Sequence, residues 1–221
     1  MKVLVIGASR GLGQELVRQC LADRAQVTAT ARGTEGVAAL QAMGAEAFAL
    51  DVSDAASASG IAWRCDNAGF DQVWLMAGVY GPRTQALQTP TEADFDAVMH
   101  TNVLGAMRVL PQLADALAPG AKVAVLSSRM GSIGLRSATA GWLYRASKAA
   151  LNSVVKDVSL AWQDRAVCVA LHPGWVQTDM GGSQADLTPQ QSIADLRRTV
   201  AGLTPQHSGG FFNHDGQPLV W

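Results

Sequence analysis

The 221 residues carry 17 Lys and Arg against 18 Asp and Glu, a formal net charge of −1, with 48% hydrophobic and 16% charged residues. So apolar a chain excludes disorder, and the absence of a basic surplus argues against nucleic acid or an anionic membrane surface as partner. No apolar run approaches the ~18 residues of a spanning helix, and Val3 to Ile6 is too short for a secretory core, so a cytoplasmic protein is expected.

Short β-branched runs alternate with amphipathic stretches along the whole chain. Val3 to Ile6 reads as a buried strand stopped by Gly7, and Leu12 to Leu21 has helical apolar spacing. Strands are predicted at Val27–Thr30 and Ala45–Leu50, with a helix at Val37–Met43 between them. Ser53 is placed to cap a helix running towards Cys65. A fourth strand, Asp71–Met76, ends at Ala77-Gly78. A long helical region from Thr91 to Leu117 carries Asn102, and Pro111 should bend or break it. Strand Lys122–Leu126, helix Tyr144–Trp162 and strand Ala166–Leu171 follow, the last stopped by Pro173-Gly174. Thr188-Pro189 is a cap followed by a proline at the first helical position, and the tail to Trp221 holds strand material around Asp215-Gly216. This alternation predicts a single α/β domain: a doubly wound, Rossmann-like parallel sheet of about seven strands, helices on both faces. The three distant cysteines and four histidines show no disulfide framework and no metal-ligand spacing.

Two patterns carry chemistry. Gly7-Ala8-Ser9-Arg10-Gly11-Leu12-Gly13 joins the first strand to the first helix. Glycines there permit a tight turn and close approach of backbone to a pyrophosphate, and the helix N-terminus supplies free N–H groups. The spacing is GxxxGxG, against the GxGxxG of the commonest dinucleotide fingerprint. Further on, Tyr144 and Lys148 stand four residues apart on one helix face. A neighbouring ammonium favours phenolate and makes the phenol a better proton donor, as carbonyl reduction needs. Alone, such a pair is more often an ordinary half-buried Tyr beside a solvated Lys.

Taken with Asp51-Val52, Ala77-Gly78, Asn102, Ser127-Ser128, Pro173-Gly174 followed by Thr178, and Asp215-Gly216, these motifs occur in an order that resembles the short-chain dehydrogenase/reductase family. The resemblance runs from Gly7 to Trp221, and SSRMGSIG with YRASKAALN is similar to its compact, carbonyl-reductase-like branch. It implies Tyr144 as general acid, Lys148 as the group that lowers the Tyr pKa and holds the nicotinamide ribose, Ser128 as a hydrogen-bond donor to the substrate carbonyl, and Asn102 as anchor of a proton-relaying water. It implies a cofactor frame of Gly7, Ser9, Arg10, Gly11, Leu12, Gly13, Arg32, Asp51, Val52, Ala77, Gly78, Pro173, Gly174, Val176 and Thr178, shared with Tyr144 and Lys148. Asp51 would contact adenine; capping a nearby helix is its plainer role. Strand two is followed by Arg32, with no acid until Glu35, so NADP(H) is expected over NAD(H), with Arg10 on the other side of the 2′-phosphate.

Two departures from the family pattern stand out. Met76 occupies the second position of the usual Asn-Asn-Ala-Gly and has no amide. Ser128 lies 16 residues before Tyr144 and Ser132 only 12, so Ser132 is the rival site serine; Ser128 is preferred because it ends a predicted strand, an insertion around Ala140-Gly141-Trp142 absorbing the difference. Tyr80, Trp142, Trp175 and Met180 would form an apolar wall, though packing explains each as well. Arg136 is placed to meet an anion or simply to be solvated, and His172 reads as structural. A short, Gly-containing lid near 179–195 should be mobile and the site open, with broad selectivity for apolar carbonyl compounds. A homodimer or homotetramer through helices 91–118 and 144–162 is expected. The leading function is an NADP(H)-dependent oxidoreductase acting on a small carbonyl or alcohol; the rival is a cofactor-binding signalling or regulatory protein on the same scaffold.

Overall fold

Alternate residues of the buried strands enter opposite apolar layers, as a parallel sheet covered on both faces requires. In the computed structural model, which describes residues 1–221, β1 (Lys2–Ile6) sends Leu4 and Ile6 into one layer and Val3 and Val5 into the other. β2 (Gln26–Ala31) and β3 (Glu46–Ala49) lie on one side of it. On the other side come β4 (Phe70–Leu75), β5 (Leu117–Leu126), β6 (Ala166–His172) and β7 (Phe211–Asn213). The order is β3-β2-β1-β4-β5-β6-β7, and every adjacent pair is parallel. That is the expected doubly wound sheet, in one domain.

The helices close both layers. Leu16, Val17 and Cys20 of α1 (Gly11–Ala22) and Leu40 of α2 (Thr34–Ala42) cover one face. The opposite face is covered by α3 (Ala55–Ser59), α4 (Ile61–Arg64), α5 (Glu92–Met99), α6 (Gly105–Val109) and α7 (Trp142–Ala161), through residues such as Ile61, Val109, Leu151 and Val155. Ile193, Leu196 and Val200 of α8 (Pro189–Ala201) return to the first face. Thr188 caps α8 in a reciprocal capping box with Gln191, as the Thr-Pro pair predicts.

Four expectations need correction. The helix from Ser53 is two short helices separated at Gly60, and the cap is Asp54, whose Oδ2 accepts from Ser57 N–H at 2.7 Å. The helix expected over 91–117 is α5, a π turn at His100–Leu104, α6 and a 3₁₀ segment, Leu110–Ala116. Pro111 explains the last change, since it lacks an N–H and its ring clashes with the preceding turn; the π turn adds one residue around Asn102. β5 begins at Leu117, earlier than expected, because Leu117 pairs with Phe70 before the register shifts. In the tail, the strand is Phe211–Asn213, and Asp215-Gly216 forms the turn after it, with Gly216 N–H bonded to the Asn213 carbonyl.

A Cβ added at Gly13 would stand 2.3 Å from the Gly7 carbonyl oxygen, a backbone atom that cannot move aside, whereas at Gly60 it would meet nothing within 4 Å. Urea denaturation should therefore show Gly13→Ala destabilised by about 2 kcal/mol and Gly60→Ala changed by less than about 0.5 kcal/mol.

Candidate active site

The strand order reverses direction between β1 and β4, and in open parallel sheets the crevice at that switch point is where ligands bind. Gly7 leaves β1 with φ +87°, and a side chain there would press to 2.7 Å from Ala77 N. A cleft of about 990 Å³ runs along these strand ends. Of the catalytic and cofactor residues expected from sequence, Asn102 alone does not line it, and of the expected apolar wall Tyr80, Trp175 and Met180 line it but Trp142 does not.

Tyr144 and Lys148 lie one turn apart in α7, 7% and 4% exposed. The Lys148 ammonium sits 5.7 Å from the centre of the Tyr144 ring and donates to the Leu126 carbonyl at 2.8 Å. Burial pushes Lys148 down to about 8. It pushes Tyr144 up to about 12, against the hydrogen bond from Ser128 and with a smaller upward push from Tyr80. The sequence expectation that Lys148 lowers the phenol is therefore outweighed: loss of water around a would-be phenolate is the larger effect, and Ser128 supplies the opposing pull. Tyr80 stacks on Tyr144 with ring centres 4.6 Å apart.

The rivalry between the two serines has a geometric answer. Ser128, two residues beyond β5, lines the cleft with Tyr144 and pulls its phenol towards ionisation, while its Oγ accepts from Met130 N–H. Ser132 is fully buried away from the cleft, its Oγ donating to the carbonyls of Val220 and Trp221 and accepting from Leu135 N–H. The residues that lengthen the gap pack on the 79–88 loop: Gly141 N–H bonds the Thr84 carbonyl, and Trp142 Nε1 the Gln88 carbonyl.

Asn102, 2% exposed, works from behind the site. Its Oδ1 accepts from Val79 N–H and its Nδ2 donates to the Val79 carbonyl, both at 2.8 Å, with a further bond to Ser147 Oγ at 2.9 Å. The side chain therefore fixes the chain after β4 to α7. Met76 leaves no gap where an amide is usual. Its side chain fills the core, while its N–H and that of Ala77 both donate to the Ile6 carbonyl.

At the glycine loop, α1 starts at Gly11 with no side-chain cap from Arg10 and no acidic residue in its first turn. By contrast, α3, α5 and α8 are each capped by a side chain. The uncapped N–H groups of the loop line the cleft and suit an anionic phosphate. Arg32 is exposed beside Asp51, whose Oδ1 accepts from Ser53 N–H and Oγ. Burial pushes the Asp51 carboxyl up, but the Ser53 bonds and the Arg32 charge carry it below the usual range. Arg10 pairs with Asp179 at 3.1 Å, both well exposed, a contact weak enough to yield to another anion. The segment after Asp179 runs to α8, which begins at Pro189 as the Thr188-Pro189 pair predicts, and it is well tied. Trp175 Nε1 donates to the Gly181 carbonyl, Arg83 to the Met180 carbonyl, Gln177 Nε2 to the Ala185 carbonyl, and Val176 bridges Leu187. Arg136 lies outside the cleft. Sequence reasoning missed Arg83, Arg129 and Arg145, which line it.

Residues 1–188 match the family model of short chain dehydrogenases. The chain belongs to the short-chain dehydrogenase family. Within that family it is 34% identical over 233 residues to the 1-hydroxy-2-glutathionyl-2-methyl-3-butene dehydrogenase of Rhodococcus sp., covering 99% of each chain. It is 38% identical over 159 residues to C-signal of Myxococcus xanthus, covering 71% of this chain and 90% of C-signal. Among solved structures, a carbonyl reductase from Pseudomonas aeruginosa in complex with NADP superposes with a TM-score of 0.87 at 33% identity, over 100% of this chain and 99% of the other. No helix of the structure is long and apolar enough to cross a membrane.

Because Tyr80 and Tyr144 are the two tyrosines of the chain, tyrosinate absorbance resolves them. Subtracting the titration of Tyr144→Phe from that of the unaltered protein should leave a phenol that stays protonated until about pH 12. Ionisation of that phenol near its ordinary pKa of ~10 would show it solvated.

Proposed function

We propose that this short-chain dehydrogenase is an NADP(H)-dependent carbonyl reductase whose general acid is Tyr144. The observation that carries the reading is one buried constellation: Tyr144, Ser128 and Lys148, the lysine a turn from the phenol, facing the same cleft as an uncapped, glycine-lined helix start. NADP bound to the Pseudomonas carbonyl reductase supports the choice of cofactor, and the likeness over its full length to the Rhodococcus dehydrogenase supports an oxidoreductase over a purely regulatory role.

NADPH, when bound, supplies the hydride. The rest belongs to the chain. Ser128 and Tyr144 hydrogen-bond the substrate carbonyl oxygen and hold it at the phenol. Tyr144 is protonated at neutral pH, so its proton is present to be given to that oxygen as the alcohol forms; burial makes the phenol a weaker acid, and the nearby Lys148 ammonium offsets this as the phenolate develops. Lys148 uses one of its three donors on the Leu126 carbonyl; the remaining two serve the nicotinamide ribose, and its charge stabilises the phenolate left behind. Asn102 holds the Val79 backbone in place beside Lys148, and would also anchor the relaying water. Arg32 receives the 2′-phosphate, with Arg10 released from Asp179 to join it.

Steady-state kinetics with NADPH test these roles. Tyr144→Phe should abolish most turnover while cofactor affinity stays near that of the parent, and Lys148→Met should damage both. Ser128→Ala should lose a transition-state hydrogen bond worth on the order of 3 kcal/mol, whereas Ser132→Ala should act on stability through the C-terminal tail it binds. If Ser132→Ala proved the variant with lost turnover, the site would be misassigned. Arg32→Asp should reverse the preference for NADPH over NADH, which in the parent is expected to be at least about tenfold.

The pH dependence follows from Lys148. Its ammonium is present below about pH 8 and lost above it, while Tyr144 keeps its proton to about 12. Reduction should be level in the neutral range and fall about tenfold per pH unit once Lys148 is neutral. A rate that climbs through pH 9 would show that the ammonium is not required.

A further inference from the structure

The chain as a whole carries a net charge of −1, yet its cleft is strongly cationic. Arg10, Arg32, Arg83, Arg129, Arg145 and Lys148 line it, against two carboxylates, Asp51 and Asp179. Both carboxylates belong to the glycine-loop end: Asp51 lies beside Arg32 and Asp179 pairs with Arg10. Arg83, Arg129 and Arg145 have no carboxylate within salt-bridge distance. Arg145 is half-buried with its Nε on the Ala140 carbonyl. Arg83 and Arg129 are exposed to solvent, and such an excess of unpaired guanidinium lining a concave site focuses a field that attracts anions.

Arg83 is the best placed of the three. Its guanidinium lies 5.2 Å from the centre of the Tyr80 ring, and that ring stacks 4.6 Å from Tyr144. One amino group donates to the Met180 carbonyl at 2.8 Å, which leaves most of its five N–H donors free. The cation is thus held by an aromatic face and a lid carbonyl, two ring steps from the phenol. Arginine held in this way offers a carboxylate a planar pair of donors at little further cost in side-chain freedom.

We propose that the substrates of this enzyme are carbonyl compounds bearing a carboxylate remote from the reacting carbonyl, with Arg83 as the residue that receives it. This rests on the carbonyl-reductase reading above, and it replaces the sequence expectation of selectivity for apolar carbonyl compounds. The carbonyl oxygen would sit at Tyr144 and Ser128, and the carboxylate would reach across Tyr80 to Arg83.

The test uses a series of keto acids with growing methylene spacers, each beside its methyl ester, with the full-length protein and saturating cofactor. Turnover is measured with NADPH, and binding is measured separately by calorimetry on the NADP⁺ complex. The best acid should exceed its ester about tenfold in both kcat/KM and affinity, and the advantage should shrink with added salt. Arg83→Met should bring the acid-to-ester ratio towards one, mainly through KM, and Arg83→Glu should invert it. Because the ester shares every other contact, general damage to the lid would lower both members and leave the ratio intact. Equal handling of acid and ester by the parent, or a ratio untouched by Arg83→Met, would overturn the proposal. Acids that bind in an Arg83-dependent way without any member being reduced would keep the anion site and refute carbonyl reduction instead.

Discussion

A lysine buried to 4% exposure with one backbone carbonyl as its hydrogen-bond partner is costly to keep charged, and the site is organised around that cost. The same desolvation that pulls Lys148 down to about 8 pushes Tyr144 up to about 12. The two groups are thereby driven towards their neutral forms from opposite sides. A neutral phenol is the form that can give a proton, and a lysine with two donors to spare is one whose charge a bound ligand can restore. Close packing makes this arrangement rigid. A Cβ on Gly131 would come within 2.7 Å of the Lys148 backbone, and one on Gly78 within 3.3 Å of its ammonium.

The sheet supplies the positions. β1, β4, β5 and β6 end in register, so that Gly7, Ala77, Ser128 and Pro173 arrive along one line without further loop structure. Two polar contacts then tie that line to the helix bearing the reactive pair: Ser127 Oγ to Asn152 at 2.5 Å, and Asn102 to both Val79 and Ser147. The π turn is what brings Asn102 to Val79, since one extra residue in the helix redirects its side chain. The geometry of the cleft is mostly a property of strand ends and helix faces, with the Arg10–Asp179 ion pair exposed at its glycine-loop end.

Much of this was legible in the residues themselves. The buried runs of β1 and β6 and the uninterrupted α7 predict sheet and helix strongly, because period and composition agree. The glycine loop and the Tyr144–Lys148 spacing are local patterns that need no tertiary information. What sequence could not show was set by distant contacts. The role of Ser132 depends on Val220 and Trp221, far along the chain. Asn102 forms a π turn that has no propensity signature, and Asp54 rather than Ser53 caps α3 because the helix starts one residue later. Nothing local marks Arg83, Arg129 and Arg145, which the fold gathers, unpaired, in one cleft.

Hydride delivery itself is the point on which the account stands. The direct measurement is to supply NADPH carrying deuterium on the reactive carbon of the nicotinamide, with a carbonyl substrate, and to locate the label in the product by mass spectrometry. Deuterium on the newly formed carbinol carbon, absent from the Tyr144→Phe reaction, is the predicted result. Tight NADPH binding with no label reaching any carbonyl compound would contradict it, and would leave a cofactor-binding regulator on the same fold.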